Sequence, residues 1–273
     1  MRFVKKDAIR MIVLWLLSLI ILFPLLLILF GSFKSRGEAA LFTLSLPSSW
    51  DWSSYGRVIT DSPFFRSFKN SVIMTTISTG LVIATAAPAA LVLARKARQK
   101  KIKIITLVFM LGIVAPISII PTIVIIKFMK IYGTQFSGIL IYTARFIPFS
   151  IFLLTGFFKT IPREMDEASI IDGCHPIRMI IQVMMPLLRS ILLTCIIFIS
   201  MNVWNDFQIP IFFFSSSEKW TMPLLVYNFF GKYMRQWNLV FACLILTALP
   251  ITTLYLTLQK YIVSGMTQGA VKG

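Results

Sequence analysis

Four stretches of this chain, residues 11–33, 70–94, 104–126 and 236–259, contain no charged side chain and are mostly apolar. In hydrocarbon a backbone must satisfy its own hydrogen bonds, and a helix of about 20 apolar residues does so while crossing the bilayer core. Two further apolar runs carry one charge each: 131–158 holds Arg145 and 190–214 holds Asp206. The pattern predicts an all-α membrane protein of six transmembrane helices, at about 11–33, 70–94, 104–128, 136–158, 190–214 and 236–259. The first run is too long for a signal peptide and is not followed by a small-residue cleavage site, so it reads as a retained span. With no long polar stretch left over, residues 1–273 read as a single transmembrane domain.

Composition excludes the main soluble classes. The chain is 57% hydrophobic and 14% charged, with a mean hydropathy of +0.84. A soluble domain carries about a quarter charged residues. The net charge of +17 would suggest nucleic acid on a soluble protein, but here the basic residues sit between apolar runs and report topology instead, so no nucleic-acid partner is expected. The densest basic cluster, Arg95, Lys96, Arg98, Lys100, Lys101 and Lys103, lies between the second and third runs. Cytoplasmic loops carry the excess of Lys and Arg, so this loop is placed inside. Six spans then put both termini in the cytoplasm, and residues 34–69 form the longest outer loop. Its Trp50, Trp52, Tyr55, Phe64 and Phe65 suit a membrane interface or an external partner.

Proline falls in or beside most runs, at Pro24, Pro88, Pro116, Pro121, Pro148, Pro210 and Pro250. Each removes a helix hydrogen bond, and kinked helices in lipid sit in bundles or beside wet cavities. Small residues at 84–90 favour close helix packing. Polar groups concentrate in the fifth run: Asn202, Trp204, Asn205, Asp206 and Gln208. Such groups face a cavity or a bundle, or else lie hydrated near the outer surface. A tryptophan ring with amides and a carboxylate beside it suits sugar recognition. Arg145 is either a solute contact, a partner for a helix end, or a contact to another subunit. The three cysteines, Cys174, Cys195 and Cys243, are far apart, and His175 is the sole histidine, so neither a metal site nor a disulfide framework is expected. No paired acid and base, Ser/His/Asp set or HExxH marks a membrane enzyme.

Residues 159–189 form an inner loop with four of the ten acidic residues, Glu164, Asp166, Glu167 and Asp172. Thr160 or Ile161 could cap a short helix with Pro162 in its first turn and the acidic residues favouring its dipole. Gly173 would end that helix and Pro176 would start a second, through Met185 to Pro186. Small residues Ala168, Ser169 and Gly173 leave room for another protein's surface, although a merely solvated hairpin fits the same residues.

At this loop the sequence resembles a known family. Glu167-Ala168-Ser169, then Asp172-Gly173 and Pro186 at the matching distance, look like the EAA loop of ABC-importer permeases. Ser169, Val183 and Met185 stand where that pattern has Ala, Ile and Leu, and the spacing is intact. The outer segment around Ser62-Pro63-Phe64 and Asn70-Ser71, residues 147–151 and 156–158, and the ending 265–273 are similar to the carbohydrate subgroup related to the second maltose permease subunit. The resemblance implies a cytoplasmic coupling-helix (EAA) loop at 159–189, with Glu167, Ala168, Ser169, Asp172, Gly173 and Pro186 engaging an ATPase. It implies a permease domain that is not itself an enzyme, in a bacterial or archaeal plasma membrane. Its partners would be a homologous second permease, two cytoplasmic ATPase subunits and an extracellular binding protein that delivers a carbohydrate of oligosaccharide type. The chain has no phosphate loop of its own: Gly231-Lys232 lacks the upstream glycine and is followed by Tyr233. No cofactor is therefore expected in this chain, and ATP with magnesium belongs on the partner ATPase. The candidate solute pathway is Asn202, Trp204, Asn205, Asp206, Gln208 and Arg145. A polyol or glycerol-phosphate importer is the neighbouring alternative. An ion-coupled carrier acting alone is a more distant one, because such carriers spread charges through several spans.

Overall fold

The computed structural model describes residues 2–115, 117–232 and 236–270. Pro116, expected at a kink, lies outside the described residues, as do Met1, 233–235 and 271–273, among them the basic Arg235 and Lys272. Every regular element among the described residues is helical. In chain order they are α1 (Arg2–Gly31), α2 (Arg36–Ala39), α3 (Ser53–Thr60), α4 (Phe64–Arg95), α5 (Lys100–Val114), α6 (Ile119–Phe128) and α7 (Gln135–Phe158). There follow α8 (Glu164–Ile171), α9 (Pro176–Leu187), α10 (Arg189–Asn205), α11 (Gln208–Phe213), α12 (Met222–Lys232) and α13 (Trp237–Ala270).

Four helices are long and apolar enough to cross a membrane: Val13–Gly31, Phe64–Arg95, Gln135–Phe158 and Trp237–Gln259. Six result if two bent pairs each count as one span. The run expected as one span at 104–128 is such a pair: α5 and α6 meet at 116°. An apolar run reports length and burial, not straightness, and Pro121 in the first turn of α6 suits a helix start rather than an interior. The fifth run differs as well. Its helix α10 stops at Asn205, short of the expected 214, and the chain turns at Asp206 into the six-residue α11. Upstream, α9 meets α10 at 88°. The second span begins at Phe64, six residues ahead of the expected 70.

The chain divides into two compact units. One comprises residues 1–67 and 222–250. Its small core is Val58, Leu239, Ala242 and Cys243. The segment between α1 and α4 is organised here by aromatic contacts and hydrogen bonds. The Phe33 ring lies 5.1 Å from that of Trp50, 4.8 Å from that of Trp52 and 5.3 Å from that of Tyr55. Tyr55 shares a hydrogen bond of 2.7 Å with Ser32. Lys34, almost wholly buried, donates to the Thr43 carbonyl at 2.7 Å and to the Ser45 hydroxyl at 3.1 Å, which folds the segment after α2 back onto the end of α1.

The other unit comprises residues 68–221 and 251–273. Its core runs from Met74, Ala86, Ala87 and Ala90 of α4, through Tyr142, Phe146, Ile151 and Leu154 of α7, to Cys195, Ile199 and Val203 of α10. Small residues set the packing. A Cβ at Gly138 of α7 would lie 2.6 Å from Met74 Cε and 2.8 Å from Phe214 Cζ, so a larger residue would push these side chains away. Thr79 and Ser200 face each other at 3.4 Å between α4 and α10. α5 runs antiparallel to α7 and brings Gly112 against Pro148.

Candidate functional site

Two places in the second unit gather the residues that the sequence singled out. The first is the segment from α8 to α9. Helix α8 starts at Glu164, with Arg163 as an N-cap whose side chain does not cap the helix, so the start is later than the Thr160 or Ile161 cap expected. Glu164, Asp166 and Glu167 occupy its first turn, where carboxylates complement the helix dipole. Its end is a Schellman turn. The Gly173 N–H donates to the Ile170 carbonyl and the Cys174 N–H to the Ser169 carbonyl, both at 3.0 Å. Gly173 has φ +71°, and a Cβ there would meet no atom within 4 Å. Backbone hand, not crowding within this chain, is what calls for glycine.

Ser169 is buried and donates to the Met165 carbonyl, whereas Glu167, Ala168, Asp172, Gly173 and Pro186 are exposed. So are two large apolar side chains, Ile170 at 66% and Ile171 at 84%. Ile177 and Ile181 of α9 are exposed as well. His175 caps α9, its Nδ1 accepting from the Ile177 N–H at 3.4 Å, and Pro176 fills the first helical position. Met179–Met184 winds as a π-helix, a widened turn that recurs at functional positions.

The second place is a charge pair among aromatic rings. Arg145 Nη1 lies 3.6 Å from Asp206 Oδ2. The guanidinium also stands over the Phe146 ring at 5.4 Å. Asp206 owes its position to the end of α10: its Oδ1 accepts from the Gln208 N–H at 2.7 Å and so closes the turn between α10 and α11. Its Oδ2 is buried without a hydrogen-bond partner, and so is the hydroxyl of neighbouring Tyr142. Phe149 and Phe198, with ring centres 4.4 Å apart, line the same helices.

The candidates of the fifth run separate. Asn202, Asn205 and Gln208 are exposed, and the Asn202 amide donates to the Phe198 carbonyl at 2.8 Å. Trp204 is buried, its ring meeting that of Phe68 edge-on at 6.0 Å. Tyr142 was missed, although its place three residues before Arg145 sets both on one helix face. Arg95 was read only as part of a basic loop, yet it bonds Asp166. Among the described residues no group of three or more His, Cys, Asp or Glu is placed to hold a metal ion.

Comparison with known proteins matches residues 86–268 to the family described as "binding-protein-dependent transport system inner membrane component". A diacetylchitobiose uptake system permease protein of Streptomyces coelicolor is 31% identical over 266 residues, 96% of this chain and 87% of the relative. A melibiose/raffinose/stachyose import permease protein of Bacillus subtilis is 31% identical over 252 residues, 92% of this chain and 91% of its own length. Among solved structures, a chain of a bacterial ABC transporter involved in the import of the acidic polysaccharide alginate superposes with a TM-score of 0.80 at 22% identity, covering 94% of this chain and 96% of that one.

Proposed function

The chain belongs to the binding-protein-dependent transport system inner membrane component family, and from that premise we propose that it is the membrane-spanning permease subunit of an ATP-driven ABC importer for a carbohydrate of oligosaccharide type. An extracellular binding protein delivers the solute. A homologous second permease completes the pathway, and two cytoplasmic ATPase subunits with ATP and magnesium supply the energy. In this reading residues 1–273 act as one permease domain of six spans, each bent pair counting as one. Both termini lie in the cytoplasm of a bacterial or archaeal cell, and residues 159–189 are the EAA loop. The carbohydrate assignment rests on the relatives, which are named for diacetylchitobiose and for melibiose, raffinose and stachyose.

The observation that carries the coupling role is the free end of α8. Ile170 and Ile171 stand in water next to a glycine-terminated turn, with acidic Glu167 and Asp172 exposed beside them. Apolar side chains exposed on a segment outside the spans mark a protein interface. The backbone at Gly173 is open for a partner to approach. Glu167 offers a charge-assisted hydrogen bond across that contact. Ala168 and Ser169 keep the helix slim, and Pro186 directs the chain into the next span. Within the bilayer, Arg145, Asp206, Asn202, Asn205 and Gln208 supply hydrogen-bonding groups to sugar hydroxyls, while buried Trp204 supports their helix from behind.

The test is to reconstitute the complex in vesicles with Gly173→Trp and Glu167→Lys and to follow uptake, solute-stimulated ATP hydrolysis and retention of the ATPase. The reading expects a membrane subunit that folds, with the ATPase lost or no longer stimulated and uptake reduced at least tenfold. Normal uptake and stimulation in both variants would leave the loop an inert connector.

A further inference from the structure

Arg95 is the last residue of α4, and its guanidinium closes a junction of three elements. Nε and Nη2 hold the two carboxylate oxygens of Asp166 at 2.5 and 2.9 Å. Nη1 donates to the carbonyls of Phe158, at 3.1 Å, and Ile161, at 2.9 Å. In return, Arg163 Nη2 donates to the Arg95 carbonyl at 3.0 Å. Asp166 lies in the first turn of α8 and Phe158 at the end of α7. One planar fork therefore ties the end of α4 to the start of α8 and to two carbonyls at and just after the end of α7.

The pair differs from a surface salt bridge. The Arg95 and Asp166 side chains are only 16% and 17% exposed, and the geometry is bidentate. A bidentate pair fixes direction as well as distance, which a lysine ammonium does not do. The opposite end of α8, with Ile170 and Ile171, is exposed. The helix is thus clamped at its start and open at its end.

We propose that Arg95 is a positioning residue of energy coupling: it makes α4 follow α8, so that a displacement imposed on the loop by the ATPase reaches the spans through α4. The inference rests on the reading of residues 159–189 as the ATPase-coupling loop. Coupling between sites travels through contiguous packed or hydrogen-bonded contacts, and this junction is such a contact. Loss of the fork would let α8 move without α4, so ATP would be spent with less solute moved.

The experiment compares the wild-type complex with R95K, D166N and K96Q in proteoliposomes. It measures ATP hydrolysed per oligosaccharide imported, with raffinose and diacetylchitobiose as probes, and retention of the ATPase by pull-down. R95K keeps the charge and loses the fork, D166N keeps the shape and loses the anion, and K96Q removes an exposed neighbouring charge. The expected result is retained ATPase in all four, a roughly tenfold rise in ATP used per solute for R95K and D166N, and no change for K96Q. Wild-type stoichiometry in R95K and D166N would overturn the inference and leave the importer reading standing. Loss of the ATPase or of folded protein in both would overturn it in favour of a purely structural junction. ATP-independent uptake by the wild type would instead overturn the importer reading beneath it.

Discussion

Arg145 of α7 and Asp206 at the end of α10 form an ion pair at 3.6 Å between two helices that the sequence places far apart. The two sides are unequal: the arginine side chain is 42% exposed and the aspartate 11%. Removing the arginine strands a mostly buried carboxylate, whereas removing the aspartate leaves a cation that reaches open space. R145M should therefore cost more than D206N. Breaking a buried pair costs about 3–5 kcal/mol; halved for the arginine's exposure, R145M should cost about 2 kcal/mol. D206N retains an oxygen for the Gln208 N–H and should cost less than about 1 kcal/mol. Thermal unfolding of the two variants in detergent checks the order, and equal losses would show that the pair is not an asymmetric one.

A second prediction concerns the end of α1. A Cβ at Gly31 would lie 2.4 Å from Phe241 Cδ2, which no side chain tolerates without movement of the ring. G31V should destabilise the protein by about 1–3 kcal/mol through overpacking. Trimming the ring should relieve the clash, so G31V/F241A should be less unstable than the sum of its single changes. A double-mutant cycle by thermal unfolding reads this directly. Strict additivity would mean that the two groups do not meet.

The segment that follows α1 carries a pH-dependent contact. Glu38 accepts hydrogen bonds from the Ser48 hydroxyl and from the Ser35 N–H, the latter at 3.2 Å, and its pKa is lowered, chiefly by Ser48. A carboxyl with a depressed folded pKa adds stability above its unfolded pKa and loses it as pH falls through the folded value. The segment around residues 35–48 should thus become more open to proteolysis below about pH 4.5. E38Q should already be more open at neutral pH, with a flatter response to acid. An identical pH profile in the wild type and E38Q would remove this contact from the account.

Topology is testable with two exposed positions. Trp50 and Arg98 both reach the surface, and the proposed orientation, which rests on the basic cluster from Arg95 to Lys103, puts the second in the cytoplasm. W50C should react with an impermeant thiol reagent added outside intact cells, and R98C should not. The opposite labelling pattern would invert the protein in the bilayer.

Which of these features were legible from the sequence follows from the range of the interaction involved. Apolar runs announced the helices because burial in lipid is a property of each segment by itself. Gly173 was legible as a helix end because the Schellman turn is local. The 116° turn between α5 and α6 was not, because the run 104–126 is equally apolar whether straight or folded. Nor was the burial of Trp204: neighbours in sequence suggested one polar face, but Trp204 and Asn205 are successive helical residues and point in different directions. The Arg145–Asp206 and Arg95–Asp166 pairs join residues far apart in the chain, so only the packing of α4, α7, α8 and α10 brings them together.

The most direct measurement is solute uptake into proteoliposomes that contain this chain with the proposed partner permease and ATPase subunits, and with the proposed binding protein and radiolabelled raffinose or diacetylchitobiose outside. ATP, or a non-hydrolysable analogue, is enclosed inside, and ionophores collapse any proton or sodium gradient. The account predicts uptake that requires hydrolysable ATP and the binding protein, persists without ion gradients, and vanishes when this chain is omitted. Uptake by this chain alone, driven by an ion gradient and indifferent to ATP, would contradict it.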